Sequence, residues 1–102
     1  MNRKFCLIFL LSLCLGAPAF AATCESLATL NLPDTTITSA QPVAAGAFVP
    51  PPGVPAAAVK NLPAFCRVAA TIKPAKDSDI KMEVWLPLTG WNGKYRGLGN
   101  GG

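Results

Sequence analysis

The sequence contains no histidine, has a low content of charged residues (14%), and has a single tyrosine. Without an imidazole, neither a Ser-His-Asp nor a Cys-His catalytic set can be assembled within these 102 residues. Acidic residues are also few, five against nine basic ones. Any hydrolytic chemistry of these common kinds would therefore need residues from outside this sequence.

The start of the chain has the organisation of a secretory signal peptide. Residues 1–4 carry two basic side chains, residues 5–15 form an uncharged apolar run, and Gly16 and Pro18 end that run. Ala19 and Ala21 place small residues at −3 and −1 of a cleavage site. A membrane-spanning helix needs roughly 20 apolar residues, so no stable membrane anchor is expected. We predict cleavage after Ala21 and a secreted or periplasmic protein.

Removal of this leader changes the charge of the remaining chain, residues 22–102. Arg3 and Lys4 leave with the leader, so seven basic and five acidic residues remain and the net charge falls from +4 to +2. A charge this small predicts neither a nucleic acid nor an anionic membrane surface as a partner.

Cleavage would also leave two of the four cysteines, Cys24 and Cys66. Two cysteines without histidine are too few ligands for a structural zinc ion, and no metal site is predicted. Two free thiols or half of a metal site are the alternatives to a disulfide. An exported protein with two cysteines favours the disulfide between them.

The first half of the mature chain is predicted to hold little regular structure. Residues 24–30 favour a short helical turn, and residues 35–40 have the Thr/Ile composition of a strand. Residues 41–64 contain six prolines and are predicted to form a Pro-rich loop outside any sheet. A proline-rich ligand for an aromatic groove is the alternative interpretation of this segment.

The second half predicts a β-hairpin. Apolar residues alternate with other residues in 65–72 and again in 80–86, and a turn rich in Pro, Asp and Ser separates the two stretches. This pattern predicts an antiparallel hairpin whose apolar face, which includes Ile80, Met82, Val84 and Leu86, is buried. A further strand is predicted at 94–98, followed by glycines. Three strands with one apolar face need a covering layer, so we expect the native protein to continue beyond Gly102.

The glycine-rich end, residues 97–102, matches the G-x-G-x-x-G pattern of dinucleotide-binding sites. The preceding stretch is charged and no helix follows, which disfavours that interpretation. Exposed backbone N–H groups in such a loop can instead stabilise an oxyanion. A plain turn is the third alternative.

Other candidate chemistry is weak. Ser78, Asp77 and Asp79 lie in the predicted turn, where these residue types are ordinary. Trp85, Trp91 and Tyr95 could stack on sugars, but the favoured interpretation is that Trp85 and Tyr95 cover a sheet face and Trp91 fixes a turn.

Five short stretches form an ordered series. They are FCRV at 65–68, DSDI at 77–80, EVWLP at 83–87, WNGKY at 91–95 and GNGG at 99–102. Together they resemble the N-terminal signature of the tannase and feruloyl esterase family, and Cys-Glu-Ser-Leu at 24–27 resembles it more loosely.

The resemblance implies an α/β fold, in which this chain supplies the N-terminal β-strands of an α/β-hydrolase and is itself mostly β and loop. It implies a secreted serine esterase that cleaves small aromatic esters of galloyl or feruloyl type, with its Ser-His-Asp triad outside this chain. Cys24 and Cys66 match the family's first disulfide, and Gly101 and Gly102 match the oxyanion-hole loop. No cofactor is expected within the chain, whereas calcium is expected in the family's lid domain. The alternative is a small secreted β-module that binds carbohydrate or protein without catalysis.

Overall fold

The structure is a computed structural model, and it describes residue 16 and residues 22–99. Its elements are a 3-10 helix (Glu25–Thr29), strand β1 (Thr35–Val43), helix α1 (Ala56–Val59), strand β2 (Phe65–Ile72) and strand β3 (Ile80–Pro87). Apart from Gly16, the predicted leader at 1–21 lies outside the described residues, as do Gly101 and Gly102. Within the described ranges, no helix is long and apolar enough to cross a membrane.

The three strands form one antiparallel sheet in the order β1-β2-β3. β2 and β3 pair over their whole length, from Ile72 opposite Ile80 to Phe65 opposite Pro87. The predicted hairpin is therefore confirmed. Its register follows from the alternation, because a slip by one residue would exchange the two faces of β3.

β1 is longer than predicted. It includes residues 41–43, and Pro42 lies opposite Cys66. The prediction that the loop begins at residue 41 is wrong here because β1 is an edge strand, where proline is tolerated since alternate N–H groups point away from the sheet. The rest of the segment is loop except for the single turn of α1.

The strand predicted at 94–98 is not formed, and the chain is irregular from residue 88 to residue 99. Local hydrogen bonds explain this difference. The Lys94 N–H donates to Asn92 Oδ1 at 3.0 Å, and Trp91 Nε1 donates to the Lys94 carbonyl at 3.1 Å. Such bonds use backbone groups that a strand would need for its ladder.

One face of the sheet, which we call the helix side, packs against the 3-10 helix. The cluster of buried residues there is Ala40, Cys66 and Val68, and the half-buried residues around it are Cys24, Leu27, Ile37 and Val84. The helical turn predicted near residues 24–30 is thereby confirmed. β3 departs from the predicted buried face, because its apolar side chains are largely exposed.

The opposite face, which we call the loop side, carries Phe65, Arg67 and Trp85. The Pro-rich loop returns over it and places Phe48 on the sheet. The described residues are thus mostly antiparallel sheet and loop, as expected for the 102 residues. The α/β-hydrolase fold stays a prediction.

Candidate functional site

The predicted disulfide between Cys24 and Cys66 is confirmed, with 5.6 Å between the two Cα atoms. It joins the residue before the 3-10 helix to the central strand β2, across a sequence separation of 42 residues. Cys66 is 2% exposed and lies between Pro42 of β1 and Leu86 of β3. Because both sulfurs are bonded, neither cysteine is available as a nucleophile or as a metal ligand.

An aromatic cluster occupies the loop side. The Phe65 and Trp85 rings stack with centroids 4.7 Å apart, and the Phe48 ring meets Trp85 edge-on at 4.8 Å. The Arg67 guanidinium lies 5.4 Å from the centre of the Phe48 ring. These contacts combine offset aromatic pairing with a cation–π contact, and they hold the Pro-rich loop against the sheet.

Arg67, Glu83 and Trp85 form a hydrogen-bond network beside this cluster. Arg67 Nε donates to Glu83 Oε2 at 2.9 Å, and Arg67 Nη2 donates to Glu83 Oε1 at 2.6 Å. Trp85 Nε1 also donates to Glu83 Oε2, at 2.8 Å. The strand register brings the three side chains together, because Arg67 lies opposite Trp85 and two residues before Ala69, the partner of Glu83.

This network keeps Glu83 ionised. The hydrogen bond from Arg67 is the largest influence lowering the pKa of Glu83; burial opposes it and the Trp85 hydrogen bond adds to it. The same carboxylate raises the pKa of Arg67. A carboxylate whose oxygens already accept three hydrogen bonds and whose pKa is lowered is a poor general base at neutral pH. We therefore assign Glu83 a structural role.

The turn between β2 and β3 holds Ser78 and the two aspartates. Ser78 Oγ accepts a hydrogen bond from the Ala75 N–H at 3.3 Å, as expected of a turn residue. Asp79 pairs with Lys81 at 2.8 Å, and the hydrogen bond from Lys81 is the main cause that lowers the pKa of Asp79. These residues are in an exposed turn, and nothing near them resembles a nucleophile with its base.

The three aromatics Trp85, Trp91 and Tyr95 do not form one cluster in the described part of the chain. Trp85 packs with Phe48 and Phe65, Trp91 fixes the turn through its bond to Lys94, and Tyr95 is 88% exposed. Phe48 was missed by sequence reasoning. A single large aromatic among the small residues and prolines of 41–64 was the available indication.

No group of three His, Cys, Asp or Glu residues that could hold a metal ion occurs among residues 22–99. A shallow depression of about 200 Å³ lies beside the disulfide, and its walls include Cys24, Leu27, Leu86 and Leu88. The oxyanion role of Gly101 and Gly102 stays a prediction, since both lie outside the described residues.

Comparison with known proteins relates the chain to esterases. A Xanthomonas campestris protein named as an uncharacterized esterase is 51% identical over 79 residues, which is 78% of this chain and 13% of that protein. "Probable feruloyl esterase B-1" of Aspergillus oryzae is 32% identical over 91 residues, 82% of this chain and 17% of that protein. "Probable feruloyl esterase B-2" of Aspergillus flavus is 42% identical over 38 residues, 37% of this chain and 7% of that protein.

The chain therefore spans less than a fifth of the length of these relatives. No family model matches the sequence, and no solved structure matches it. The homologues support the esterase part of the predicted resemblance, but they do not distinguish a tannase from other esterases.

Proposed function

We propose that this chain is the N-terminal part of a longer, exported carboxylic ester hydrolase that acts on aromatic acid esters of galloyl or feruloyl type. The observation that carries the proposal is the 51% identity over 79 residues to a protein named as an esterase. The names of the two Aspergillus relatives support a feruloyl-type substrate. The small share of each relative that is matched supports a longer polypeptide.

In the proposed mechanism a serine attacks the ester carbonyl after a histidine removes its proton, and an aspartate orients that histidine. All three residues would be supplied from outside this sequence, which has no histidine. The N–H groups of the loop that holds Gly101 and Gly102 would stabilise the tetrahedral oxyanion.

The described residues would then serve as a scaffold for that loop. The hairpin is paired over eight residues per strand, and the disulfide fixes β2 to the 3-10 helix. From the end of β3, the turn pinned by Trp91 and Asn92 leads towards the glycines. A loop attached to a rigid sheet can hold N–H donors at a fixed distance from a reacting carbonyl.

A hybrid enzyme tests the proposal. Residues 22–102 would replace the matching stretch of the Xanthomonas esterase, and both proteins would be assayed on p-nitrophenyl acetate, methyl ferulate and methyl gallate. We expect both to hydrolyse the esters, and we expect a serine-directed phosphonate to abolish the activity. A folded hybrid that hydrolyses none of these esters, beside an active parent, would refute an esterase role for this chain.

The oxyanion role has its own test within the same hybrid. Gly102→Val should lower kcat by about 100-fold or more with little change in KM, because one transition-state donor is displaced. Gly97→Val is the matched control, since Gly97 is not held at a positive φ and an added Cβ would meet only the Tyr95 side chain, at 3.5 Å. An unchanged kcat in Gly102→Val would refute the oxyanion role alone.

A non-catalytic β-module that binds carbohydrate or protein is the second candidate. The exposure of Trp91 (67%) and Tyr95 (88%) favours it, because exposed aromatic rings can stack on sugars. This alternative predicts that residues 22–102 unfold cooperatively in urea as an isolated domain. It also predicts that oligosaccharides change the tryptophan fluorescence of that domain, which the esterase proposal does not.

A further inference from the structure

The turn that follows β3 contains an asparagine directly before a glycine. Asn92 and Gly93 are both exposed, and Gly93 has a positive φ of 76°. Glycine suits this φ because it has no Cβ. An added Cβ at Gly93 would meet no atom within 4 Å, so the space beside its backbone nitrogen is open. Among the described residues, the other asparagines, Asn31 and Asn61, each precede a leucine.

Hydrogen bonds within the turn fix the side chain of Asn92 against the backbone. Its Oδ1 accepts from the Lys94 N–H at 3.0 Å, and Trp91 Nε1 donates to the Lys94 carbonyl at 3.1 Å. Because Gly93 lies between the two ends of the first bond, the carboxamide carbon of Asn92 is held close to the Gly93 nitrogen. Reacting groups held in this way are near the geometry of attack.

The bond from Lys94 also prepares the Asn92 carboxamide for reaction. When a nucleophile adds to that carbon, negative charge develops on Oδ1. The Lys94 N–H already donates to this oxygen, so it is placed to stabilise the charge as an oxyanion-hole donor does. The turn therefore holds the electrophile, the nucleophile and a donor for the oxyanion in one short stretch of chain.

We propose that Asn92 is a site of spontaneous deamidation in which the Gly93 backbone nitrogen is the nucleophile. This nitrogen gives its proton to solvent and bonds to the Asn92 carboxamide carbon, which releases its amino group as ammonia after that group takes up a proton. Water then opens the cyclic succinimide at either of its two carbonyls. The products are aspartate and isoaspartate, in which the backbone runs through the former side chain. The reaction needs water and no oxidant, reductant or enzyme.

Either product changes the turn between β3 and the glycine-rich end. Beyond Glu83 the charged side chains of the sequence are the two cations Lys94 and Arg96, so an aspartate at position 92 adds a negative charge beside them. Isoaspartate lengthens the backbone by one methylene, and the geometry that joins Oδ1 to the Lys94 N–H is lost. The turn would therefore change as the protein ages. This inference does not depend on the proposed function.

Peptide mapping of the hybrid enzyme after incubation in mildly alkaline buffer tests the site. Trypsin cleaves after lysine and arginine, so Asn92 falls in the peptide 82–94, Asn61 falls in 61–67, and Asn100 falls in a third peptide. The peptide 82–94 should gain the mass difference between a hydroxyl and an amino group and should separate into aspartate and isoaspartate forms. Asn61 should stay intact over the same period. Deamidation at Asn61 as fast as at Asn92 would overturn the proposal.

A synthetic peptide of residues 82–99 gives the rate without the folded turn. We expect Asn92 to react in the hybrid at least as fast as in this peptide, because the turn holds the reacting atoms together. A rate in the folded hybrid below about one tenth of the peptide's would show that the fold protects Asn92 and would overturn the proposal, whereas any higher rate supports it. Products that contain aspartate without isoaspartate would also overturn it, since they indicate direct attack by water.

Two glycine variants of the hybrid test the role of the Gly93 nitrogen. Gly93 and Gly90 both have a positive φ, 76° and 69°, and at neither would an added Cβ meet an atom within 4 Å. Alanine therefore introduces similar backbone strain at both positions. Gly93→Ala should slow deamidation of Asn92 by about tenfold or more, because its Cβ crowds the attacking nitrogen, and Gly90→Ala should leave the rate unchanged. Equal slowing by the two variants would contradict the assignment of the nucleophile.

A hybrid that does not fold still tests the site. Without the folded turn Asn92 should continue to react faster than Asn61, because the glycine leaves the attacking nitrogen unhindered, and equal rates would overturn the proposal. Ester hydrolysis is not the readout. A folded hybrid that deamidates at Asn92 but cleaves no ester would refute the proposed function and support this site.

Discussion

The disulfide between Cys24 and Cys66 is expected to supply a large part of the stability of this sheet. Among the described residues, the buried apolar side chains are Ala40, Phe65, Cys66, Val68 and Ala70, most of which are small. A core of this size contributes little apolar area. We expect reduction of the disulfide to release the 3-10 helix as well, whose Leu27 packs against the core.

The magnitude follows from the loop that the disulfide closes. A separation of 42 residues corresponds to about 4 kcal/mol of lost conformational entropy in the denatured chain. The loop includes the prolines of 41–64, which already restrict the denatured chain, so the true value should lie below this figure. At 1.4 kcal/mol for each tenfold change, the upper value is about 700-fold in an equilibrium constant.

The thiol–disulfide equilibrium of Cys24 and Cys66 measures the stabilisation by this disulfide without a melting curve. The hybrid enzyme is equilibrated with glutathione buffers, once in native buffer and once in concentrated urea, and the oxidised fraction of the Cys24–Cys66 pair is determined by alkylation and mass spectrometry. By linkage, the disulfide and the native structure stabilise each other by the same free energy. The ratio of the two effective thiol concentrations should therefore approach several hundred-fold.

Two variants distinguish the part of this ratio that comes from packing in the native state from the part that comes from the denatured chain. Leu27→Ala should lower the ratio because Leu27 packs against the core, whereas Leu30→Ala should not because Leu30 is 50% exposed. A ratio near one in the unmodified chain would show that the native sheet does not favour this pairing, and the reasoning would be refuted.

Three further predictions concern urea melts of the hybrid enzyme with the Cys24–Cys66 disulfide intact. Glu83→Gln should cost less than about 1 kcal/mol because its ion pair is partly exposed. Because folding lowers the pKa of Glu83, this stabilisation is present above the unfolded pKa near 4.5 and is lost as the pH falls through the folded pKa. The urea melts of the unmodified protein and of Glu83→Gln should therefore converge in acid. Phe48→Ala should cost about 1–3 kcal/mol and expose Trp85 to fluorescence quenchers, because the Phe48 ring packs against Trp85. Val49→Ala should be neutral because Val49 is exposed, and equal effects of the two variants would contradict the contact between the loop and the sheet. Gly46→Ala should cost about 1–3 kcal/mol and more than Gly53→Ala, because both have positive φ but only at Gly46 would a Cβ meet a carbonyl oxygen, at 3.0 Å.

Much of the hairpin could be predicted because residues close together in the sequence determine it. Alternation in 65–72 and 80–86, with a short polar turn between them, determines both the pairing and which side chains share a face. The Cys24–Cys66 bond could be predicted from count and compartment, and the ordered motifs after residue 65 indicated an esterase. These inferences need no knowledge of how distant segments pack.

The errors arose where something other than strand propensity decides how the backbone is used. Pro42 is compatible with a strand only because β1 lies at an edge, and an edge is a property of the whole sheet. Residues 94–98 have strand-like composition, yet the Lys94 N–H donates to the Asn92 side chain and the Lys94 carbonyl accepts from the Trp91 side chain, so neither group is free for a ladder. Neither outcome can be read from propensity alone.

The sequence by itself determined the disulfide partners, the hairpin register and the absence of a complete histidine-dependent triad. Tertiary structure alone decided that Phe48 returns to the sheet, that Arg67 holds Glu83 ionised in an ion pair, and that no strand within residues 22–99 pairs with the outer edge of β3. The physical reason is that alternation and composition act between near neighbours, whereas edges, ring packing and ion pairs depend on contacts between residues far apart in the chain.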